Sequence, residues 1–165
     1  TVQLEPEEFD LYDLLSYEAE IFAIEIERSG IDFTTDFSDR LYVTTDYFSA
    51  EQVVTNYMQN AISHISGGNK ISLTVRPQGN YYRVSVFNSA PPIPEEELPR
   101  IWDSFYRLDK SRKRSHRESG LGLSIVKSNM ELLGGGFGVE NVPEGVVFWA
   151  DFPRSVPSES PEVEG

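Results

Sequence analysis

The chain has 165 residues, 39% of them hydrophobic and 12% aromatic, with a net charge of −13 and no Cys. That length and apolar content suit one folded core. The acidic balance excludes broad binding to nucleic-acid backbones, which needs Lys and Arg, and the lack of Cys excludes disulfides and thiolate metal sites.

In chain order, Asp10 is placed to cap a helix through LYDLLSYEAEIFAIEIERS that stops at Gly30, with apolar positions 11, 14, 15, 21, 22 and 26 in a helical period. Two short β-like runs follow, IDFTTDF and LYVTT. Ser49 and Gln52 form a capping-box pattern ahead of a second helix, which Gly67-Gly68 are expected to end. KISLTVR and YYRVSVFN read as a hairpin around PQGN, and residues 95–105 as a short helix. A third helix is expected from near Gly120 to the glycines at 134–136, then a second hairpin, GFGVENV and VVFWADF, around PEG. The final residues are biased to Pro, Ser and Glu, so the division is one domain over 1–154 and a disordered acidic tail over 155–165. These elements predict an α+β, two-layer fold with three helices on a mostly antiparallel sheet. No run approaches the length of a membrane-spanning helix, and TVQLEPEEFD lacks the basic-then-apolar order of a signal peptide, so neither an anchor nor a leader is expected.

Four groups of residues carry chemical possibilities. The second helix puts Val53, Val54, Tyr57, Met58, Ala61, Ile62 and Ile65 on an apolar face, leaving Asn56, Asn60 and His64 as an i, i+4, i+8 stripe. Asn is a poor helix former, costing roughly 0.6 kcal/mol relative to Ala, so the stripe is either a solvated face or a ligating one. An amide oxygen is a hard ligand that suits Mg²⁺ bridging to phosphates. Next, RLDKSRKRSHR holds Arg107, Lys110, Arg112, Lys113, Arg114 and Arg117, six of the fourteen Lys and Arg. It reads as a solvated loop or as a site for a dense anion. The segment SGLGLSIVK follows directly, and Gly120 and Gly122 at a helix start either allow close helix packing or bring backbone N–H groups to a phosphate. Between the stripe and these glycines, RIWDSFYRLDK places Trp102 and Phe105 three apart, a spacing that favours core positions.

The order NYMQNAISH, VFNSAPPIP, RIWDSFYR, SGLGLSIVK, GVVFWADFP resembles the ATP-binding catalytic domain of bacterial sensor histidine kinases. These belong to the superfamily of gyrase, heat-shock chaperone, histidine kinase and mismatch-repair ATPases, known as GHKL or HATPase_c. The likeness spans about residues 2–153, and FNSAPPIP, IWDSFYR and ENVPEGVVFW are most similar to a Gram-positive subgroup that includes vancomycin-resistance-type sensors. The resemblance implies the Bergerat fold, a mixed sheet of about five strands packed on three helices. It implies ATP and Mg²⁺ as cofactors, with Asn60 as the Mg²⁺ ligand, Asn56 as a contact either to phosphate or to the groups that surround the ion, and both as catalytic residues. It also implies that His64 reaches phosphate, that Phe105 is the F-box aromatic, that Arg107 and Lys110 contact phosphate from a lid over 106–119, and that Gly120, Leu121, Gly122 and Leu123 are the phosphate-binding segment. Asn88 stands where the family has an Asp that accepts from the adenine amino group, and Ile93 helps wall the ring.

The chain departs from the family pattern at several positions. Ser63 replaces a common Lys, Ala90 and Pro92 replace glycines, and Glu118 and Ser119 stand where many relatives have more glycine. Asn88 keeps an acceptor but not a charge, which implies weaker nucleotide affinity. The implied reaction is transfer of the ATP γ-phosphoryl group to a histidine on a separate helical hairpin, with a response regulator downstream. Neither His64 nor His116 has the sequence setting of that phosphoacceptor. The resemblance further implies a monomer without nucleic-acid or membrane contacts, the cytoplasmic part of a membrane-anchored sensor. Two alternatives stand beside it: a degenerate nucleotide-binding regulatory module, and an anti-sigma-type serine kinase, although the latter usually opens its N box with Glu where this chain has Asn56.

Overall fold

Asp10 ends one element and begins the next. In the computed structural model, which describes residues 3–106 and 122–156, its carboxylate accepts from the backbone N–H groups of Tyr12, Arg40 and Leu41, each at 2.9 Å. One acidic side chain thereby closes strand β1 (Pro6–Asp10), caps helix α1 (Leu11–Arg28) and ties both to the loop before strand β3 (Tyr42–Asp46). Asp46 repeats the device at the start of helix α2 (Tyr47–His64), accepting from Ser49 N–H and Glu5 N–H at 2.9 Å. The Glu5 and then the Ser49 N–H hold its carboxyl below the usual range.

Strands β2 (Asp32–Asp36), β4 (Lys70–Gln78), β5 (Tyr81–Ser89), β6 (Phe137–Val142) and β7 (Gly145–Pro153) form a sheet in the order β2-β4-β5-β7-β6. The β2–β4 pair is parallel and the rest are antiparallel. β1 and β3 make a separate two-stranded ribbon. Alternate residues Ile71, Leu73 and Val75 on β4, Val84 and Val86 on β5, and Val146, Phe148, Ala150 and Phe152 on β7 are buried, the period-two signature of a sheet covered on one face. The core also takes in Val53, Val54, Tyr57, Met58 and Ala61 of α2, Val126 and Met130 of helix α3 (Gly122–Leu133), and Leu11, Leu14, Leu15, Phe22 and Ile26 of α1. Tyr57 reaches furthest across the layers: its hydroxyl donates to the Trp149 carbonyl at 2.9 Å, and burial pushes its pKa up, so it stays a neutral donor.

The α+β two-layer sandwich, the three helices and the mixed five-stranded sheet agree with the sequence reading. Several boundaries do not. Helix α2 starts at Tyr47 with Asp46 as its cap, not at Ser49, because an acceptor carboxylate was available one turn earlier. It ends at His64 rather than at Gly67-Gly68, since Ile65 is extended and Ser66 N–H bonds to Ser89 O at 2.9 Å. Pro77 and Gln78 belong to β4, so the hairpin turn is Gly79-Asn80, with Gly79 at φ 61°. Residues 95–105 do not form a continuous helix. Only Glu95–Glu97 is helical, of 3-10 type, followed by turns; Pro99 has no N–H to carry an α-helical ladder through this stretch. At the other end, Ser155 N–H donates to Tyr42 O at 2.9 Å, one residue beyond the expected domain limit.

Candidate nucleotide site

The exposed-to-buried edge of α2 carries the asparagine stripe. Asn56 and Asn60 are half-buried and His64 is exposed at the last helical residue. The Nδ2 of Asn56 is buried and donates to no atom among the described residues. The preceding residue is fixed from the other side: Thr55 Oγ1 donates to Glu18 Oε1 at 2.8 Å. Glu18 is 1% exposed in α1, and burial raises its carboxyl pKa, opposed by the Thr55 bond and reinforced by Glu51. This contact sets the rotation of α2 where Asn56 begins. Asn129 of α3 donates to Gln52 Oε1 at 2.9 Å, holding α3 against α2 one turn before Asn56.

Asn88 lies at the end of β5, facing the helices between Ile71 of β4 and Val146 of β7. It is 2% exposed, its Nδ2 donates to Ser89 O at 3.2 Å, and its Oδ1 accepts from no atom among the described residues. Buried polar atoms are paired in the great majority of cases, so an open acceptor on Asn88 and an open donor on Asn56 both need an account. The backbone around Asn88 is rigidly held. Ser89 O receives Ser66 N–H at 2.9 Å, and Ser89 Oγ receives Lys70 N–H at 2.9 Å. Gly145 faces Ser89 in register, and a Cβ there would stand 2.3 Å from the Asn88 carbonyl oxygen and 2.4 Å from the Phe87 ring.

The loop after β5 is fastened by a residue that the sequence reading missed. Asn141 on β6 accepts from Ile93 N–H at 2.8 Å and donates to Ile93 O at 2.9 Å. Two bonds from one side chain clamp Ile93, which is half-buried against the core. Asn is depleted in strands, the same kind of signal that singled out Asn56 and Asn60 in a helix.

Trp102 and Phe105 divide. Trp102 packs edge-on against Phe137, 5.0 Å between ring centroids, and against Phe148 at 5.9 Å. Phe105 is 64% exposed with φ 64°, so it is not a core residue as the spacing suggested. Residues three apart share a face only in a helix, and this stretch is a series of turns. Gly122 opens the described part of α3, and a Cβ there would meet no described atom within 4 Å; close packing does not require this glycine. Leu123 is half-buried beside the core. Arg107, Lys110, Gly120 and Leu121 lie outside the described residues. A separate cavity of about 580 Å³, lined by Lys70, Phe87, Ser89, Pro91 and Glu144 among others, contains none of the expected site residues.

The described residues thus include a buried acceptor on β5 and a buried donor on α2 that have no partner, an amide-rich helix face and a clamped apolar loop. A family model described as histidine kinase-, DNA gyrase B- and HSP90-like ATPase matches residues 45–156. The chain belongs to this ATPase family. Within it, the likeness is to the catalytic domains of sensor histidine kinases, as the motif order suggested. Sensor protein VanSB of Enterococcus faecalis is 31% identical over 127 residues, covering 77% of this chain and 28% of that protein. Sensor histidine kinase CusS of Escherichia coli is 33% identical over 128 residues, 76% of this chain and 26% of its own length. The chain therefore spans little more than a quarter of these relatives. The catalytic domain of histidine kinase ThkA, in a nucleotide-free form, superposes with a TM-score of 0.79 at 36% identity, covering 91% of this chain and 96% of that one. ThkA in complex with the response regulator protein TrrA gives 0.78 at 34% identity, over 92% of this chain and 42% of that one. Among the described residues, no group of three or more His, Cys, Asp or Glu is arranged to hold a metal, and no helix is long and apolar enough to cross a membrane.

Proposed function

We propose that this domain binds Mg-ATP and transfers the γ-phosphoryl group to a histidine on a separate helical hairpin of the same kinase. The observation that carries the reading is the pair of unsatisfied buried amide atoms, Asn88 Oδ1 and Asn56 Nδ2. An adenine amino group is a donor of the kind Asn88 Oδ1 lacks, and a phosphate or its water shell is an acceptor of the kind Asn56 Nδ2 lacks. Ile93, held by Asn141, forms part of the wall for the ring.

Asn60 supplies an amide oxygen from the same helix edge. An amide oxygen is a hard ligand that suits Mg²⁺, which binds through a few protein ligands together with phosphates and waters. Asn60 would hold the ion, which when bound would supply positive charge against that developing on the transferred group. His64, Arg107, Lys110 and the backbone of Gly120, Leu121, Gly122 and Leu123 are assigned to the phosphates, and Phe105 to the start of the lid. The side chains hold and orient; no group in this reading acts as a covalent intermediate, since phosphoryl transfer is mainly positioning and charge stabilisation. The phosphate then passes to a response regulator, by analogy with ThkA and its complex with TrrA. Residues 1–155 constitute the catalytic unit, with Ser155 tied to β3, the residues after it form its tail, and the parent protein is a membrane-anchored sensor with this domain in the cytoplasm. As an isolated unit the domain is monomeric.

The test is titration with Mg²⁺ and a nonhydrolysable ATP analogue, read by NMR at Asn56, Asn60, Asn88 and Gly122. It is followed by addition of the kinase's helical hairpin and assay for acid-labile phosphate. Shifts at these four residues and acid-labile label on the hairpin are expected. Binding without transfer would leave the regulatory-module alternative, and absence of binding at millimolar nucleotide would remove the reading altogether.

A further inference from the structure

We propose that the outward face of helix α1 is a docking seam for a basic amphipathic helix of a partner protein. Tyr17, Ile21 and Ile24, each more than half exposed, stand on that face at i, i+4 and i+7. Exposed apolar residues scattered singly need no account, but this is the spacing of the a and d positions of a heptad, the stripe that one helix offers to another. The positions beside the stripe are acidic. Asp13, Glu20 and Glu27 recur every seventh residue along one side of it, and Glu18 and Glu25 lie along the other. The opposite side of α1, with Leu15, Phe22 and Ile26, is already buried in the core, so the helix carries a second apolar face beyond the one that folding uses. That face continues onto the first turn of α2. Tyr47 lies beside Tyr17 and Glu51, and it meets the exposed ring of Phe48 edge-on, 5.7 Å between centroids.

The charge of the rim selects the occupant. Residues flanking a helix seam decide which helices pair, by attraction where the signs are opposite and by repulsion where they are alike. Glu18 takes no part, because Thr55 holds it inward at 2.8 Å. Asp13, Glu20 and Glu27 are exposed, α2 adds Glu51, and Arg28 at the end of α1 is the one Lys or Arg in either helix. A second copy of this chain would set these acids against themselves, and an anionic membrane surface would repel them. A helix with apolar residues at the same spacing and Lys or Arg beside them satisfies both the stripe and its rim. The contact is small, so the complex is a transient one. None of the residues assigned to nucleotide lies on α1, so the seam stands or falls independently of the nucleotide site.

The experiment titrates the whole chain with two synthetic helical peptides of about three heptads. Both carry Leu at the a and d positions; one has Lys and the other Glu at the flanking e and g positions. Affinity is read by calorimetry at physiological salt, and the place of binding by NMR. The Lys peptide is expected to bind, to shift Tyr17, Ile21 and Ile24, and to lose about tenfold or more in affinity when Ile21→Ser and Ile24→Ser are combined. The Glu peptide is expected not to bind. Glu20→Lys with Glu27→Lys should reverse the order of the two peptides, an outcome that a merely destabilised helix would not give. No binding of the Lys peptide, or binding that either pair of substitutions leaves unchanged, would overturn the proposal, the latter by showing only general attraction to an acidic protein. Self-association of the unsubstituted chain, or its adsorption to phosphatidylserine vesicles, would also overturn it if Ile21→Ser and Ile24→Ser abolished that behaviour, because the face would then belong to a second copy or to a membrane.

Discussion

Replacing Asn88 by Asp separates affinity from stability in a way the surrounding atoms make calculable. Asn88 is 2% exposed, with Oδ1 unpartnered and Nδ2 at 3.2 Å from Ser89 O. An ionised Asp in the same rotamer sets its second oxygen against that carbonyl and loses hydration without gaining a partner. Leaving a buried polar group unsatisfied costs about 1–3 kcal/mol, and more when it is charged. The opposition to Ser89 O is the same with and without nucleotide, so to first order it cancels from binding and falls on folding. What changes on binding is the bond to the adenine amino group, which passes from a neutral acceptor at about 1 kcal/mol to a charged one at about 1.5–3 kcal/mol. The net gain of about 1 kcal/mol is roughly fivefold tighter ATP. Asn88→Asp is therefore expected to bind ATP more tightly by calorimetry near neutral pH, while its nucleotide-free melting temperature falls. The affinity gain should vanish when acid protonates the new carboxyl; the amide of the unsubstituted chain does not titrate. An unchanged or weaker affinity in a variant that still folds would refute the reasoning, because the amide would then not be the limiting contact.

Glu18→Gln tests the buried carboxyl beneath Thr55. Its pKa is raised by burial, so between the ordinary value of 4.5 and the raised one the native state holds the extra proton and stability falls as pH rises. Gln keeps an acceptor for Thr55 without the charge, so thermal melts from about pH 4 to about 8 should show higher stability at neutral pH and loss of that slope; an unaltered slope would assign it to other groups. Gly145→Ala drives a Cβ to 2.3 Å from the Asn88 carbonyl oxygen, so a lower urea midpoint is expected, equivalent to about 1–3 kcal/mol. Preserved stability would mean that β7 moves freely there. Asn141→Ala removes both bonds to Ile93, and weaker nucleotide affinity by about tenfold is expected in calorimetry; undiminished affinity would show that the loop holds its position without the clamp.

The parts of the fold that the sequence carries locally were legible. Asp10 and Gly30 bracket α1 because a cap and a left-handed stop act on their own few residues. The paired strands alternate because one face is buried. Strand β1 was not legible: PEEFD is acidic and largely exposed, and it is extended because β3, some thirty-five residues later, pairs with it. The start of α2 was misjudged for a related reason, since Ser49 looks like a cap until Asp46, arriving from β3, takes its N–H. The spacing of Trp102 and Phe105 favours core positions for both only in a helix, which Pro99 prevents here, and Phe105 is exposed.

The site divides along the same line. Asn56 and Asn60 stood out because Asn disfavours helices, a cost visible in one dimension. The open oxygen of Asn88 was not visible there, because it depends on three contacts from elsewhere in the chain. Register with Ile71 and Val146 turns the side chain inward. Ser66, arriving from the end of α2, occupies Ser89 O. Gly145 lets β7 lie close against the Asn88 carbonyl and the Phe87 ring. A strand end poor in acid and glycine thus keeps the geometry of an acceptor site without its charge.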